Sequence, residues 1–189
     1  MKRRAELEER TRRRITESAV ELHGTLGPAR TSMSAVAEHA GMPRSTVYRH
    51  FPDEEALFGA CSAHWNAENP PPDLGRWEEI DDPDERLRTA LEELYAYYRR
   101  AGGMLERLLR DEATVPVVAA LFAPFHQFLA ATTEALMRGR GLRGKARLRV
   151  HAAIGHAISF GAWQQLAEAQ GLDDAEAVEL MRRLVAAAA

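Results

Sequence analysis

The chain has 189 residues, 46% of them hydrophobic and 28% charged, with a formal net charge of −3. That length buries a core in one or two domains, and with no apolar run expected near the length of a membrane span it reads as a globular cytoplasmic protein, off the membrane. The charged opening MKRRAELEERTRRR lacks the apolar segment of a secretory signal, and the single cysteine, Cys61, excludes an internal disulfide. Charge is uneven: residues 1–52 hold ten Lys and Arg against six Glu, a balance of +4, and the remainder carries −7. Phosphate attraction acts over a Debye length of about 8 to 10 Å, so a basic segment in an acidic chain is compatible with nucleic-acid binding.

In chain order, residues 2–14 are a charged run whose start is expected to fray and whose last arginines continue as the solvent face of a first helix. Both parts are placed to add phosphate contacts. From Ile15 the spacing Ile15, Ala19, Leu22, Leu26 is helical, and Gly24 and Gly27 end it before Pro28. Ser32 is a good N-cap, Met33, Val36, Ala37 and Ala40 mark one apolar face, and Gly41 stands where a helix end needs positive φ. Pro43 is placed to open a second helix, with Val47 and Phe51 four apart inside it and Arg44, Ser45, Thr46, Tyr48 and His50 on other faces. Two short helices joined by a glycine turn make a helix-turn-helix, and an ordinary helical hairpin is the alternative on these spacings. The outer residues of the second helix are hydroxyls, an aromatic and cations with no carboxylate, which is the inventory for base edges and phosphate oxygens.

Asp53 then caps a helix through about Trp65, with Leu57, Phe58, Cys61 and Trp65 inward, and the proline-rich residues 66–82 read as a surface loop. Asp82-Pro83-Asp84-Glu85 opens a helix ending at Gly102-Gly103, followed by a shorter one from about Met104 to Asp111. Thr114 and Pro116 open an aromatic-rich helix that Pro124 should kink. The stretch GRGLRGK follows a helix and lacks the ending of a phosphate-binding loop. A helix from about Ala146 to Ala169, apolar nearly all round, and a last helix opened by Asp173 with Glu176 three on would pair with their symmetry mates in a homodimer. His151 and His156 lie about 140° apart around a helix, poor for a shared metal. No HExxH, CxxC or GxSxG motif occurs, so no metal, cofactor or catalysis is expected.

The run Ile15 to Leu57, with ITESAVELHGTLG, TSMSAVAEHAGMPRSTVYRHF and DEEALF, resembles the N-terminal DNA-binding domain of TetR-type transcriptional regulators over about a quarter of the chain. The resemblance implies an all-α protein with a three-helix helix-turn-helix DNA-binding domain over 1–52 and a helical ligand-binding and dimerisation domain over 53–189. It implies a homodimeric repressor on a palindromic double-stranded DNA operator, released when a small-molecule inducer tilts the helix after the DNA-binding domain. Arg44, Ser45 and Thr46 would then meet base edges, with Ser32, Tyr48 and His50, and beside them Arg30 and Arg49, on phosphates. The inducer would lie among Tyr95, Tyr98, Phe122, Phe125, His126 and Trp163. One departure stands out: where the family has a phosphate-contacting lysine just after the Phe-Pro pair, this chain has Asp53, Glu54 and Glu55. A helical ligand-binding or scaffold protein with a vestigial DNA module, and a small all-helical enzyme, are the alternative readings.

Overall fold

The structure, a computed structural model, describes residues 2–189, and every regular element among them is helical. In order these are α1 (Lys2–Thr25), a 3-10 turn (Pro28–Arg30), α2 (Met33–His39), α3 (Arg44–His50), α4 (Glu54–Glu68), α5 (Leu74–Glu78) and α6 (Pro83–Glu112). Then come α7 (Pro116–Met137), α8 (Gly144–Ala157), α9 (Phe160–Gln164), continued by one π turn (Gln165–Ala169), and α10 (Asp174–Ala187). Contacts group these into two units. One holds the chain up to Pro70 with Gly103–Ala123, the other Pro71–Gly102 with Pro124–Ala189.

In the first unit α1 begins at Lys2, so the start expected to fray is helical, with Arg4 pairing Glu8 and Arg13 pairing Glu17 one turn on. Its core joins Ile15 and Ala19 of α1, Met33, Val36 and Ala37 of α2, Val47 and Phe51, and Leu57 and Cys61 of α4. Burial of these side chains, at roughly 1.5 to 3 kcal/mol for each large one, is what holds three short helices together. Leu26, expected inside, is instead exposed, because α1 stops at Thr25 and the buried row runs Ile15, Ala19, His23. The His23 ring stacks on Phe58 with centroids 4.5 Å apart. Cys61 donates weakly to the Thr16 carbonyl, and burial pushes its thiol up to about 12, which makes it an inert core side chain.

Burial also holds the His23 imidazole down at about 4, against 6.5 for a free ring. The folded protein keeps the ring neutral while the unfolded chain takes up a proton near its ordinary value. Stability is therefore untouched above about pH 6.5 and falls between 6.5 and 4, by about 3 kcal/mol at the acid end. Denaturant unfolding at pH 7 and pH 4.5 should show this drop in the native chain and a smaller one in His23→Phe. An equal drop in both would remove His23 as its source.

The end of α6 is bonded to the end of α1 within this unit. Arg107 donates to the Thr25 carbonyl at 2.9 Å, Arg110 to the Leu26 carbonyl at 3.1 Å, and the Asp111 carboxylate accepts from the Ala29 N–H at 2.9 Å. Arg110 also pairs with Asp111 at 2.7 Å and, as the leading cause, holds that carboxyl below its ordinary range. The clamp closes over Gly27, whose φ of +91° and lack of a side chain let both partners approach.

The second unit departs from expectation in three places. Gly102 and Gly103 do not end a helix, since α6 runs through them; a Cβ on Gly102 would lie 3.5 Å from the Trp163 indole, so this glycine provides packing room. The expected loop 66–82 contains α5, which buries Trp77 and lets its indole N–H donate to Glu93 at 2.9 Å. The helix expected over 146–169 breaks after Ala157, where Ser159 caps α9 by accepting from the Ala162 N–H. The break frees two carbonyls, and α6 supplies the donors: Tyr95 hydroxyl to Ala157 at 2.9 Å and Tyr98 hydroxyl to Ile158 at 2.6 Å. The capping box of Asp173 and Glu176 forms as expected, and the next residue, Asp174, accepts from Arg99 and from the Trp163 N–H.

Arg86 is 5% exposed and donates to four carbonyls, those of Ile80, Asp81, Ala135 and Arg138. Two of these belong to the end of α7, where the unpaired carbonyls of a helix favour a cation. α7 itself has 22 residues and mean hydropathy 1.2, long and apolar enough by length and composition to cross a bilayer, where no such run was expected. Its most apolar window is 22% buried, and Val118, Phe122, Ala135, Leu136 and Met137 are the buried apolar side chains of the helix. Pro124 lies inside α7 without ending it.

Candidate nucleic-acid interface

α2 begins where the Ser32 hydroxyl oxygen accepts from the Ala35 N–H at 3.2 Å, satisfying one of the free amides of a helix start. It ends in Gly41 at φ +62°, with the Gly41 N–H on the Glu38 carbonyl and the Met42 N–H on the Ala37 carbonyl. Pro43 stands one place earlier than expected, as the extended residue before α3, where its missing N–H costs nothing. Val47 and Phe51 are fully buried, which fixes how α3 is rotated. Ser45, Tyr48 and Arg49 therefore point outward with Arg44 at the open end, all exposed, while Thr46 and His50 are half-buried. No carboxylate stands on α3.

Arg12 was missed by reasoning from the sequence. It donates to the His50 carbonyl at 2.9 Å and its guanidinium lies 4.2 Å from the Phe51 ring centroid, so it caps the end of α3 and covers the core beneath. Its partner lies 38 residues away, so no local spacing signals it. Of the expected phosphate contacts, Ser32 and Arg30 are exposed, Arg30 on the turn that the Asp111 clamp holds. His50 Nε2 is enclosed and has no hydrogen-bond partner, which removes that nitrogen from the surface. The acidic run has a local explanation: Asp53 accepts from the Ala56 N–H at 2.8 Å, and Glu54 and Glu55 fill the first turn of α4, where negative charge is favoured.

Of the aromatic residues expected to meet an inducer, Tyr95, Tyr98, Phe125 and Trp163 lie in the second unit. Tyr95, Tyr98 and Trp163 are packed rings of the second unit, with Tyr98 and Trp163 centroids 6.0 Å apart. Their polar atoms are already bonded to Ala157, Ile158 and Asp174. Phe125 packs on Tyr97 and Phe128 in the same unit, His126 is exposed, and Phe122 belongs to the first unit. Among the described residues no three His, Cys, Asp or Glu side chains gather as metal ligands.

Residues 15–61, which span α1 from its first core residue, the helix-turn-helix and the first half of α4, match the family model of bacterial regulatory proteins, tetR family. That segment is similar to the N-terminal domain of the tetR family. Over its whole length the chain is similar in fold to solved structures of TetR-type regulators. A TetR-like transcriptional regulator from Rhodococcus superposes with a TM-score of 0.66 at 19% identity, over 93% of each chain. A TetR transcription regulator from Haloarcula marismortui gives 0.60 at 15% identity over 96% of this chain and 97% of that one. The multidrug binding protein EbrR, in complex with imidazole, gives 0.54 at 22% identity, over 92% of this chain and 88% of its own. No curated protein matches the chain in sequence.

Proposed function

We propose that the protein is a ligand-responsive transcriptional repressor that binds a palindromic operator as a homodimer inside the cell. The observation that carries this reading is the rotation of α3: burial of Val47 and Phe51 leaves Arg44, Ser45, Tyr48 and Arg49 free at one surface. In the major groove, Arg44, Ser45 and Thr46 read base edges, and Ser32, Tyr48, Arg30 and Arg49 hold phosphates, with His50 limited to its other ring nitrogen. The DNA-binding segment is 1–52, and α4 carries its position into residues 53–189. Arg44→Ala should cost about 1 to 3 kcal/mol on a duplex selected from a random library and much less on a scrambled one. Fluorescence titration of both duplexes checks this, and equal losses would take base reading away from Arg44.

The homodimer is supported by apolar surface on the last helices. Leu148 of α8 is 71% exposed and Leu184 of α10 50%, with Leu180 one turn earlier also exposed, which is costly to leave in water and suits a helix pair facing its symmetry mate. Light scattering should give twice the 21.1 kDa chain mass, and Leu148→Glu with Leu184→Glu should return it to the monomer value. A monomeric native chain would end the dimer reading.

The inducer would lie among the helices of the second unit. The packed rings of Tyr95, Tyr98, Phe125 and Trp163 support an apolar or aromatic ligand, whose polar atoms would be met elsewhere because those of Tyr95, Tyr98 and Trp163 are engaged. EbrR, with the same fold, holds imidazole. Such a ligand weakens operator binding only through its difference in affinity for the two arrangements of α4.

A further inference from the structure

The polar atoms shut inside the second unit are nearly all spent. All five N–H groups of Arg86 go to the carbonyls of Ile80, Asp81, Ala135 and Arg138. The hydroxyls of Tyr95 and Tyr98 and the indole N–H groups of Trp77 and Trp163 have partners too. Thr133 donates to the Leu129 carbonyl at 3.0 Å, a bond that hydroxyls inside helices commonly make. Thr132, one residue earlier, is fully buried and makes no such bond. Among the described residues its hydroxyl is the one side-chain nitrogen or oxygen of this unit that is closed off from solvent and has no hydrogen-bond partner.

The neighbours of Thr132 can be read from how α7 lies on α6. Phe125 packs on Tyr97 with ring centroids 6.4 Å apart, and further along α7 the Ala135 carbonyl accepts from Arg86. Thr132 therefore falls opposite the part of α6 between those two, which carries Leu87, Ala90, Leu91 and Leu94, each at most 2% exposed. On α7 itself Phe128 and Leu136 stand one turn to either side of it. The seam is thus apolar on both helices around a single open hydroxyl. It also reaches the surface, since Phe125 and Phe128 are only half-buried, stacked on each other with Phe128 against Trp77.

We infer that Thr132 is the polar anchor of the inducer, and that the inducer is a neutral, largely apolar molecule with one hydroxyl or carbonyl group to meet it. The inference rests on the inducer lying in the second unit, as proposed above. A hydroxyl both donates and accepts, so it suits either group, and an enclosed one gains a full hydrogen bond from a ligand because it has no water to give up. The same accounting selects against charge. Arg86 is the one buried charged side chain among the described residues of this unit, and it has no N–H left for a carboxylate. The half-buried carboxylates beside the rings are taken as well, Glu93 by Trp77 and Asp174 by Arg99 and Trp163, so none is open to an amine. A charged ligand would be buried without a partner, at a cost its apolar contacts do not return.

The test uses the full chain and four probes built on one aromatic ring: benzyl alcohol, ethylbenzene, benzoate and benzylamine. Benzyl alcohol should raise the midpoint of thermal unfolding of the native chain, and benzoate and benzylamine should not. Thr132→Val keeps the shape and removes the hydroxyl. Without ligand it should raise the midpoint by about 2 to 4 °C. It should weaken benzyl alcohol by about fivefold to tenfold and leave ethylbenzene unchanged. Thr132→Ser should keep the preference for the alcohol. Equal binding of benzyl alcohol by the native chain and the valine variant overturns Thr132 as the anchor. A valine variant no more stable than the native chain overturns it too, because the hydroxyl would then have a partner of its own. Benzoate or benzylamine binding as tightly as the alcohol overturns the neutral class. In these three cases a probe that loosens the native chain from its selected duplex still upholds an inducer site; if none of the four binds, the aromatic inducer site falls together with the role of Thr132.

Discussion

Gly27→Ala is expected to lower the midpoint of thermal unfolding by about 10 °C. Gly27 has φ +91° and ψ 159°, a region that residues with a side chain occupy at a cost of about 1 to 3 kcal/mol. Its new methyl would also stand 2.1 Å from Arg110 Nη2 and 2.6 Å from Asp111 Oδ2, so the clamp must open. Losing the part-buried bond from the Ala29 N–H to the Asp111 carboxylate adds about 1 to 3 kcal/mol. A combined loss of about 4 kcal/mol in a chain of this size corresponds to the stated shift. Gly24→Ala is the control: it lies in α1, its Cβ would meet only Met104 at 3.5 Å, and alanine there should leave stability unchanged or raise it. Calorimetry on the two variants decides the matter, and equal midpoints would refute the account of Gly27. Because the strained turn carries Arg30 and leads to Ser32, the alanine variant should also bind the selected duplex more weakly at temperatures where it remains folded.

Arg86→Met is expected to lower the free energy of unfolding by about 3 to 5 kcal/mol, the range for breaking a buried charged network. Methionine fills much of the volume but leaves the carbonyls of Ile80, Asp81, Ala135 and Arg138 without their donor. Arg86→Lys keeps the charge and part of the bonding and should fall between. Arg88, two residues on, pairs with Glu85 and Glu92 on the surface of α6, so Arg88→Met should change stability little. Guanidinium titrations of the three variants measure the order. If the exposed arginine mattered as much as the buried one, the bonding described for Arg86 would not be what stabilises the end of α7.

The helix-turn-helix was legible because its signals are local: the Ser32 cap, the Gly41 turn, and Val47 and Phe51 one turn apart each depend on residues within a few positions. The charge balance of residues 1–52 was legible for the same reason. What escaped depends on partners far along the chain. Gly102 read as a helix stop because nothing near it announces the indole of Trp163, and the break at Ile158 was hidden because its cost is offset by hydroxyls from Tyr95 and Tyr98, sixty residues earlier. Those two tyrosines were named for a ligand, and the structure gives their hydroxyls a different occupation. His23 was passed over in favour of Leu22 and Leu26 because hydrophobicity alone ranks an imidazole below a leucine. The buried row at every fourth position, Ile15, Ala19, His23, was the available clue.

Arg12 has a further consequence. With its guanidinium fastened to the His50 carbonyl and laid over Phe51, and with Val47 and Phe51 supplying the inward packing, α3 is held from behind and at its tail. Arg44, Ser45, Tyr48 and Arg49 contribute little to that hold, so they can be exchanged together without refolding the domain. The helix is in effect an interchangeable print head on a fixed carriage, and a library randomised at those four positions should return mostly folded proteins with new sequence preferences.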